Sequence, residues 1–343
     1  MGTPEFAVPV LEALIAEGKR PAAIKATTEE NSKTSSEIED HSAIEHSSID
    51  HSAPEPVQVV AVYTQPDKPV GRGLQMQFSP IKQVALKNHV PVFTPEKVSA
   101  PEHLEQLKQW NADFFVIVAY GQILKLPVIQ TPRYGCINIH SSLLPRWRGA
   151  APIQWAILGG DAETGVTTMQ IVPKLDAGDI LLQAKTKISP TETASSLHDR
   201  LSQMGAELIL PTLRGVLNQT VKPQPQEEAN VTYAQKLTKE MEVLDWTVSA
   251  IEIDRKVRAL NPWPGTSFYW GTSQPQKIKI KSGQFRTEQT SKAPGSLFES
   301  QGRLCVACSE GIYEIFELQE EGKRSIKAQD FLNGLKGKGI KLS

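Results

Sequence analysis

Two almost unbroken apolar runs constrain the first half of this chain most: VQVVAVYT at residues 57–64 and DFFVIVAY at residues 113–120. A strand that is apolar at every position has both faces covered, as in a parallel sheet packed between helices. The segments around them supply such helices. Residues 80–88 and 100–110 carry apolar side chains at helical spacing, with a short strand expected at 90–94 between them. Near the start, Pro4 behind Thr3 suits a helix entrance. Phe6, Val10, Leu11, Leu14 and Ile15 continue that helix to Gly18. Further on, the pattern predicts a helix at 151–158, strands at 165–172 and 180–188, and a long helix at 194–217 that Pro211 and Gly215 bend or fray. The expected fold class is α/β, with a doubly wound, mostly parallel sheet. No GxGxxG stands in the chain, so no dinucleotide cofactor is expected.

With 343 residues there is room for a second core. Residues 218–230, with Pro223 and Pro225, read as a linker. Beyond it the spacing predicts a helix over 246–260, with Arg255, Lys256 and Arg258 near its end, stopped by NPWPG. Short strands then follow at regular intervals, as in a small barrel. The domains are therefore 1–217, a linker at 218–230, and 231–343. The formal net charge of −1 hides an asymmetry. Residues 230–343 hold 17 Lys plus Arg against 13 Asp plus Glu, whereas residues 20–57 hold 8 acidic against 3 basic. A mildly basic C-terminal part admits polyanion contact without demanding it. Residues 20–56 are rich in Ser, Glu, Thr and His, with the pentads HSAIE, HSSID and HSAPE, and read as a disordered acidic surface insertion. Cys136, Cys305 and Cys308 form no disulfide framework. The CxxC at 305–308 lacks further ligands nearby, so no metal is expected, and LCVAC reads as a half-buried strand. Without a signal peptide or a bilayer-length apolar run, the expectation is a cytoplasmic protein.

Chemistry concentrates in YGCINIHSSLLPRWRG, residues 134–149. Asn138 and His140 lie two apart and so share one face of a strand. Pro145 and Gly149 end that strand, which puts an amide and an imidazole where open α/β sheets bind their ligands. Asp176 follows in a glycine-containing loop, thirty-eight residues after Asn138. Amide, imidazole and carboxylate together suit a tetrahedral intermediate, with two donors for an oxyanion and a carboxylate to orient the imidazole and move protons.

Those three residues, with SLLPRWRGAAP between them, resemble the Asn–His–Asp triad of the 10-formyltetrahydrofolate-dependent formyltransferases. GTPEFA at 2–7, VYTQPDKPVGRG at 62–73, VAYGQIL at 118–124 and RALNPWPG at 258–265 extend the likeness over nearly everything except residues 20–56. The resemblance implies an OB-like C-terminal barrel, 10-formyltetrahydrofolate as formyl donor, initiator methionyl-tRNA as partner, and a monomer without metal or nucleotide cofactor. It implies Asn138, His140 and Asp176 as catalytic residues. It places folate against Tyr120, Gly121, Gln122, Ile123, Ser142, Leu143, Leu144, Pro145, Asp176 and Gly178. It gives Phe6, Arg72, Arg146 and Arg148 to the methionyl-tRNA. Relatives with the same triad that formylate a small molecule, or that hydrolyse the donor, stay open as alternatives, as does an inactive tRNA-binding protein. In the family a short apolar strand precedes GTPEFA. The expectation here is that neighbouring strands lack that partner and that the natural start lies several residues upstream of Met1.

Overall fold

The computed structural model describes residues 1, 4–19, 56–70, 75–271, 275–337 and 342. The acidic segment falls almost wholly outside the described residues, as does Arg72.

Helix Val8–Gly18 and the 24-residue helix Ala194–Leu217 cover one side of the N-terminal sheet. The longer helix starts at a capping box in which Thr193 and Ser196 exchange side-chain and backbone bonds, and it runs on through Pro211. Its buried face, Leu197, Leu201 and Ile209, packs with Leu11, Leu14, Ile137, Ile139 and Val166 into the main core. The sheet itself is mixed. Phe115–Ile117 runs parallel to Cys136–His140, which then pairs antiparallel with Glu163–Gln170, and that strand with Ile180–Lys187. The last two strands are a hairpin, and a hairpin can only be antiparallel.

The expected strand at 57–64 shortens to Val62–Tyr63, parallel to Val92–Phe93. Its other edge faces a cavity of about 570 Å³, lined by residues 56–63, by residues 110–116 and Val118, and by Met1, Leu11 and Leu14. Met1 stands at one end of that gap. Its amine donates to the Val116 carbonyl, and its own carbonyl accepts from the Val118 amide at 2.8 Å. Met1 therefore makes the bonds of a strand residue against Phe115–Ile117.

Burial pushes the Met1 amine down to about 5 from its ordinary 8.0. The unfolded amine takes up a proton as pH falls through about 8, whereas the folded one does so only near 5. Stability is therefore expected to drop by up to about 4 kcal/mol as pH falls from 8 towards 5. Thermal melts across that range test this, and acetylation of Met1 should flatten the profile.

Past residue 230, the chain forms a six-stranded antiparallel sheet. Its order is Thr266–Trp270, Gln276–Arg286, Ile312–Glu320, Arg303–Ala307 and Leu297–Ser300, with Ile326–Lys327 added to Ile312–Glu320. Trp246, Ile253, Val257, Ile278, Tyr313 and Phe331 fill its core. The helix expected at 246–260 begins later, as Ala250–Leu260, because Ser249 caps it with Glu252 in a capping box. Cys305 and Cys308 are buried, and burial pushes their thiols up to about 11 and about 12. Among the described residues no group of His, Cys, Asp and Glu is arranged to hold a metal ion, and no helix is long and apolar enough to cross a membrane.

The two domains are joined by more than a tether. The linker pairs with the N-terminal domain at Gln224, whose amide and carbonyl bond Ile180 at 2.9 and 2.8 Å. Tyr233–Ala234 then lies parallel to Arg148–Gly149. Ala151, Leu237 and Leu260 close an apolar seam, and Arg258 reaches from buried Asp254 to the Glu192 carbonyl at 2.9 Å.

Candidate active site

Strand Cys136–His140 is the third from the hairpin end of the sheet and is hydrogen-bonded on both edges. Ile137 and Ile139 point into the core, so Asn138 and His140 point the other way, as spacing two requires. The Asn138 side-chain amide is half-buried and makes no hydrogen bond to any described residue, which leaves it free for a ligand. His140 is 6% exposed, and its Nε2 donates to the Trp147 carbonyl at 2.8 Å. A carbonyl can only accept, so Nε2 carries a proton. Nδ1 faces Asp176 Oδ2 at 3.8 Å, too long for a hydrogen bond and close enough for an ion pair when the ring is protonated.

Asp176 holds a left-handed backbone with φ of +46°, a costly conformation for a residue other than glycine. Its Oδ2 also accepts the Gly149 amide at 2.8 Å. The carboxylate is thus held by the backbone that follows Trp147, and the imidazole by the carbonyl of Trp147 itself. Asp176 was expected to orient His140. The bond that fixes the ring is instead the one to Trp147.

The loop between Asn138–His140 and Gly149 is pre-formed by two residues that local pattern did not single out. Thr167 Oγ1 donates to the Ser142 carbonyl at 2.7 Å and accepts the Leu144 amide at 3.1 Å. Gln183 Nε2 donates to the Leu144 carbonyl at 3.0 Å and to Thr167 Oγ1 at 2.9 Å. Both lie on the neighbouring hairpin strands, so only strand pairing brings them here. Ser142 is fully buried and donates to the Arg146 carbonyl at 2.6 Å; Leu144 is buried, and Leu143 and Pro145 are half-buried. Gly178 leaves room for the Gln170 carbonyl, which would stand only 1.8 Å from a Cβ.

The remaining candidates divide clearly. Tyr120 is 2% exposed, its ring belongs to the core with Tyr63, Phe115 and Ile117, and its carbonyl accepts from Gln65 Nε2 at 3.0 Å. Gly121 turns at φ +76° against the Gln65 amide. Gln122 spends its amide on Val98 and Pro95, at 2.9 and 2.8 Å. Ile123 is 89% exposed, an apolar side chain standing in solvent. Phe6 is buried edge-on to His198, with ring centroids 5.3 Å apart. Arg146 is exposed, lies over the Trp147 ring and makes a two-point pair with Asp161, which raises its pKa. Arg148 is fully buried against the linker rather than presented to solvent.

Family models match the chain twice: a formyl transferase domain at residues 31–213 and a formyl transferase C-terminal domain at residues 236–336. The chain belongs to the formyl transferase family. It is 43% identical to a methionyl-tRNA formyltransferase of Methylococcus capsulatus, over 97% of this chain and 94% of that one. It is 46% identical to a methionyl-tRNA formyltransferase of Hydrogenovibrio crunogenus, over 80% and 87%. Among solved structures, the fold of this formyltransferase resembles an N-formyltransferase from Helicobacter canadensis in complex with folinic acid and dTDP-3-aminofucose, with TM-score 0.57, 18% identity, and 93% and 97% of the two chains covered. It also resembles HypX from Aquifex aeolicus in complex with tetrahydrofolic acid, with TM-score 0.55, 18% identity, and 83% and 49% covered.

Proposed function

We propose that this formyltransferase moves the formyl group of 10-formyltetrahydrofolate onto the α-amine of initiator methionyl-tRNA, supplying translation initiation in the cytoplasm. The observation that carries the reading is the 43% identity to a methionyl-tRNA formyltransferase across both domains. The uncommitted Asn138 amide beside His140 Nδ1, which faces Asp176, is what a formyl transfer needs.

In this mechanism the free amine of the methionyl group attacks the formyl carbon. The carbonyl electrons move onto oxygen, where the Asn138 amide and the Nδ1–H of His140 donate to the oxyanion. A pre-placed donor of this kind contributes roughly 3–4 kcal/mol to the transition state. Asp176, facing Nδ1, takes part in moving the ammonium proton to the departing folate nitrogen as the carbon–nitrogen bond breaks. No covalent enzyme intermediate forms. The tRNA body binds the C-terminal domain chiefly through phosphates, so affinity falls steeply with salt.

The test is transfer of labelled formyl from 10-formyltetrahydrofolate to initiator methionyl-tRNA, with elongator methionyl-tRNA and an amino sugar nucleotide as competing acceptors. Transfer to the initiator tRNA alone is expected. Transfer to the sugar nucleotide, or release of formate without acceptor, would overturn the reading.

A further inference from the structure

Gln226 lies in the linker, fifty residues beyond Asp176, yet its side chain sits directly beneath the Asp176 loop. Its Nε2 donates both hydrogens to that loop, to the Asp176 carbonyl at 2.9 Å and to the Gly178 carbonyl at 2.7 Å. Its Oε1 accepts from Arg148 Nε at 2.9 Å. Arg148 is itself fully buried and spends Nη1 on Glu228, at 3.1 Å. The amide can stand only one way round, because a flip would set its oxygen against two carbonyls and its nitrogen against a guanidinium.

We propose that Gln226 is a positioning residue for Asp176, a linker side chain that holds the active-site carboxylate in register with His140. This rests on the formyl-transfer reading above. The physical reason is the left-handed backbone at Asp176, which the chain does not adopt unaided. Two carbonyls converging on one donor group hold that turn, and the turn aims the carboxylate at Gly149 N and His140 Nδ1. The chain just beyond the linker reaches the other half of the pair. Thr232 Oγ1 accepts the Trp147 amide at 2.9 Å, and Trp147 presents the carbonyl that fixes His140. The linker and the residues that follow it thus support both members, and Gln226 bonds two carbonyls of the Asp176 loop.

A merely structural tie for the linker would behave differently, and three measurements on the full chain separate the two. Gln226→Ala is expected to lower kcat about 100-fold with KM for both substrates changed less than about 3-fold, the pattern of a misplaced catalytic group. Gln226→Glu, which keeps the acceptor for Arg148 and loses the donor, is expected to fail equally. In an Asp176→Asn background, Gln226→Ala should cost less than about 3-fold more, because both changes act through one carboxylate. Retention of kcat in Gln226→Ala, or a loss that multiplies in the double variant, would overturn the proposal. The Gly149 amide gives a readout that needs no turnover. It is hydrogen-bonded to Asp176 Oδ2, so glycine-labelled NMR should show its exchange accelerated about 10-fold in Gln226→Ala, as in Asp176→Ala. Unchanged Gly149 exchange sinks the inference whatever the acceptor proves to be. Accelerated exchange in a protein that formylates another substrate sustains the inference while the functional reading fails.

Discussion

His140→Ala is expected to lower kcat for formyl transfer about 1,000-fold, with the affinity for methionyl-tRNA nearly unchanged. The ring supplies an oxyanion donor and a partner for Asp176 in proton transfer at once, and each role contributes at least about 100-fold in comparable sites. The two do not multiply fully, because one nitrogen serves both. The substitution also removes the partner of the Trp147 carbonyl, a deficit of about 1–3 kcal/mol if water does not reach it. A melting temperature several degrees lower is therefore expected beside the lost activity. Asn138→Ala separates the two effects. The Asn138 amide bonds nothing among the described residues, so its removal should lower kcat about 100-fold and leave the melting temperature within about 2 °C. Single-turnover transfer with a melt on each variant makes the comparison. A His140→Ala enzyme within tenfold of the parent would end the assignment.

The second large effect concerns stability. Fusing about five apolar, β-branched residues ahead of Met1 is expected to raise the melting temperature by about 10 °C. The gap between Val62–Tyr63 and Phe115–Ile117 has a volume of about 570 Å³ and is lined by apolar side chains from both neighbouring strands. Met1 already bonds Val116 and Val118 as a strand residue would, so an extension enters in register. Each buried aliphatic side chain contributes about 1.5–3 kcal/mol, against about 1–2 kcal/mol of backbone ordering per residue. Ladder bonds on two edges add about 1 kcal/mol each. A net gain near 5 kcal/mol follows, at about 2–4 °C per kcal/mol in a chain of this size. The fusion also turns the buried Met1 amine into an amide, so the fall in stability from pH 8 to 5 should disappear with it. An extension of the same length made of Asp, Lys and Pro is the control. Equal stabilisation by both would show that the gap is not a strand site.

Much of the architecture was legible along the chain. The runs at 57–64 and 113–120 announced buried strands, and the helices at 8–18, 80–87 and 194–217 follow their apolar spacing closely. The short extent of strand Val62–Tyr63 was not legible, because strand length depends on a partner and the partner's place is the cavity. The late start of helix Ala250–Leu260 is a local signal, since Ser249 and Glu252 have the spacing of a capping box. The candidate site divides in the same way. Asn138 and His140 share a face because strands alternate, and that is a local rule. Burial of Arg148 and the commitment of Arg146 to Asp161 depend on residues that only the fold brings near.

Sequence alone determined the two-domain plan, the strand that carries Asn138 and His140, and the loop that carries Asp176. Periodicity and turn residues act over a few positions, and that is all these features require. Tertiary structure decided which way the His140 ring stands, since Trp147 turns its carbonyl onto Nε2. It decided that Thr167 and Gln183 shape the loop before Arg146, and that Gln226 of the linker carries the Asp176 turn. Each of these is a hydrogen bond to a side chain or carbonyl whose place is set by packing elsewhere. A short-range directional bond between distant residues leaves no period in the chain from which it could be read.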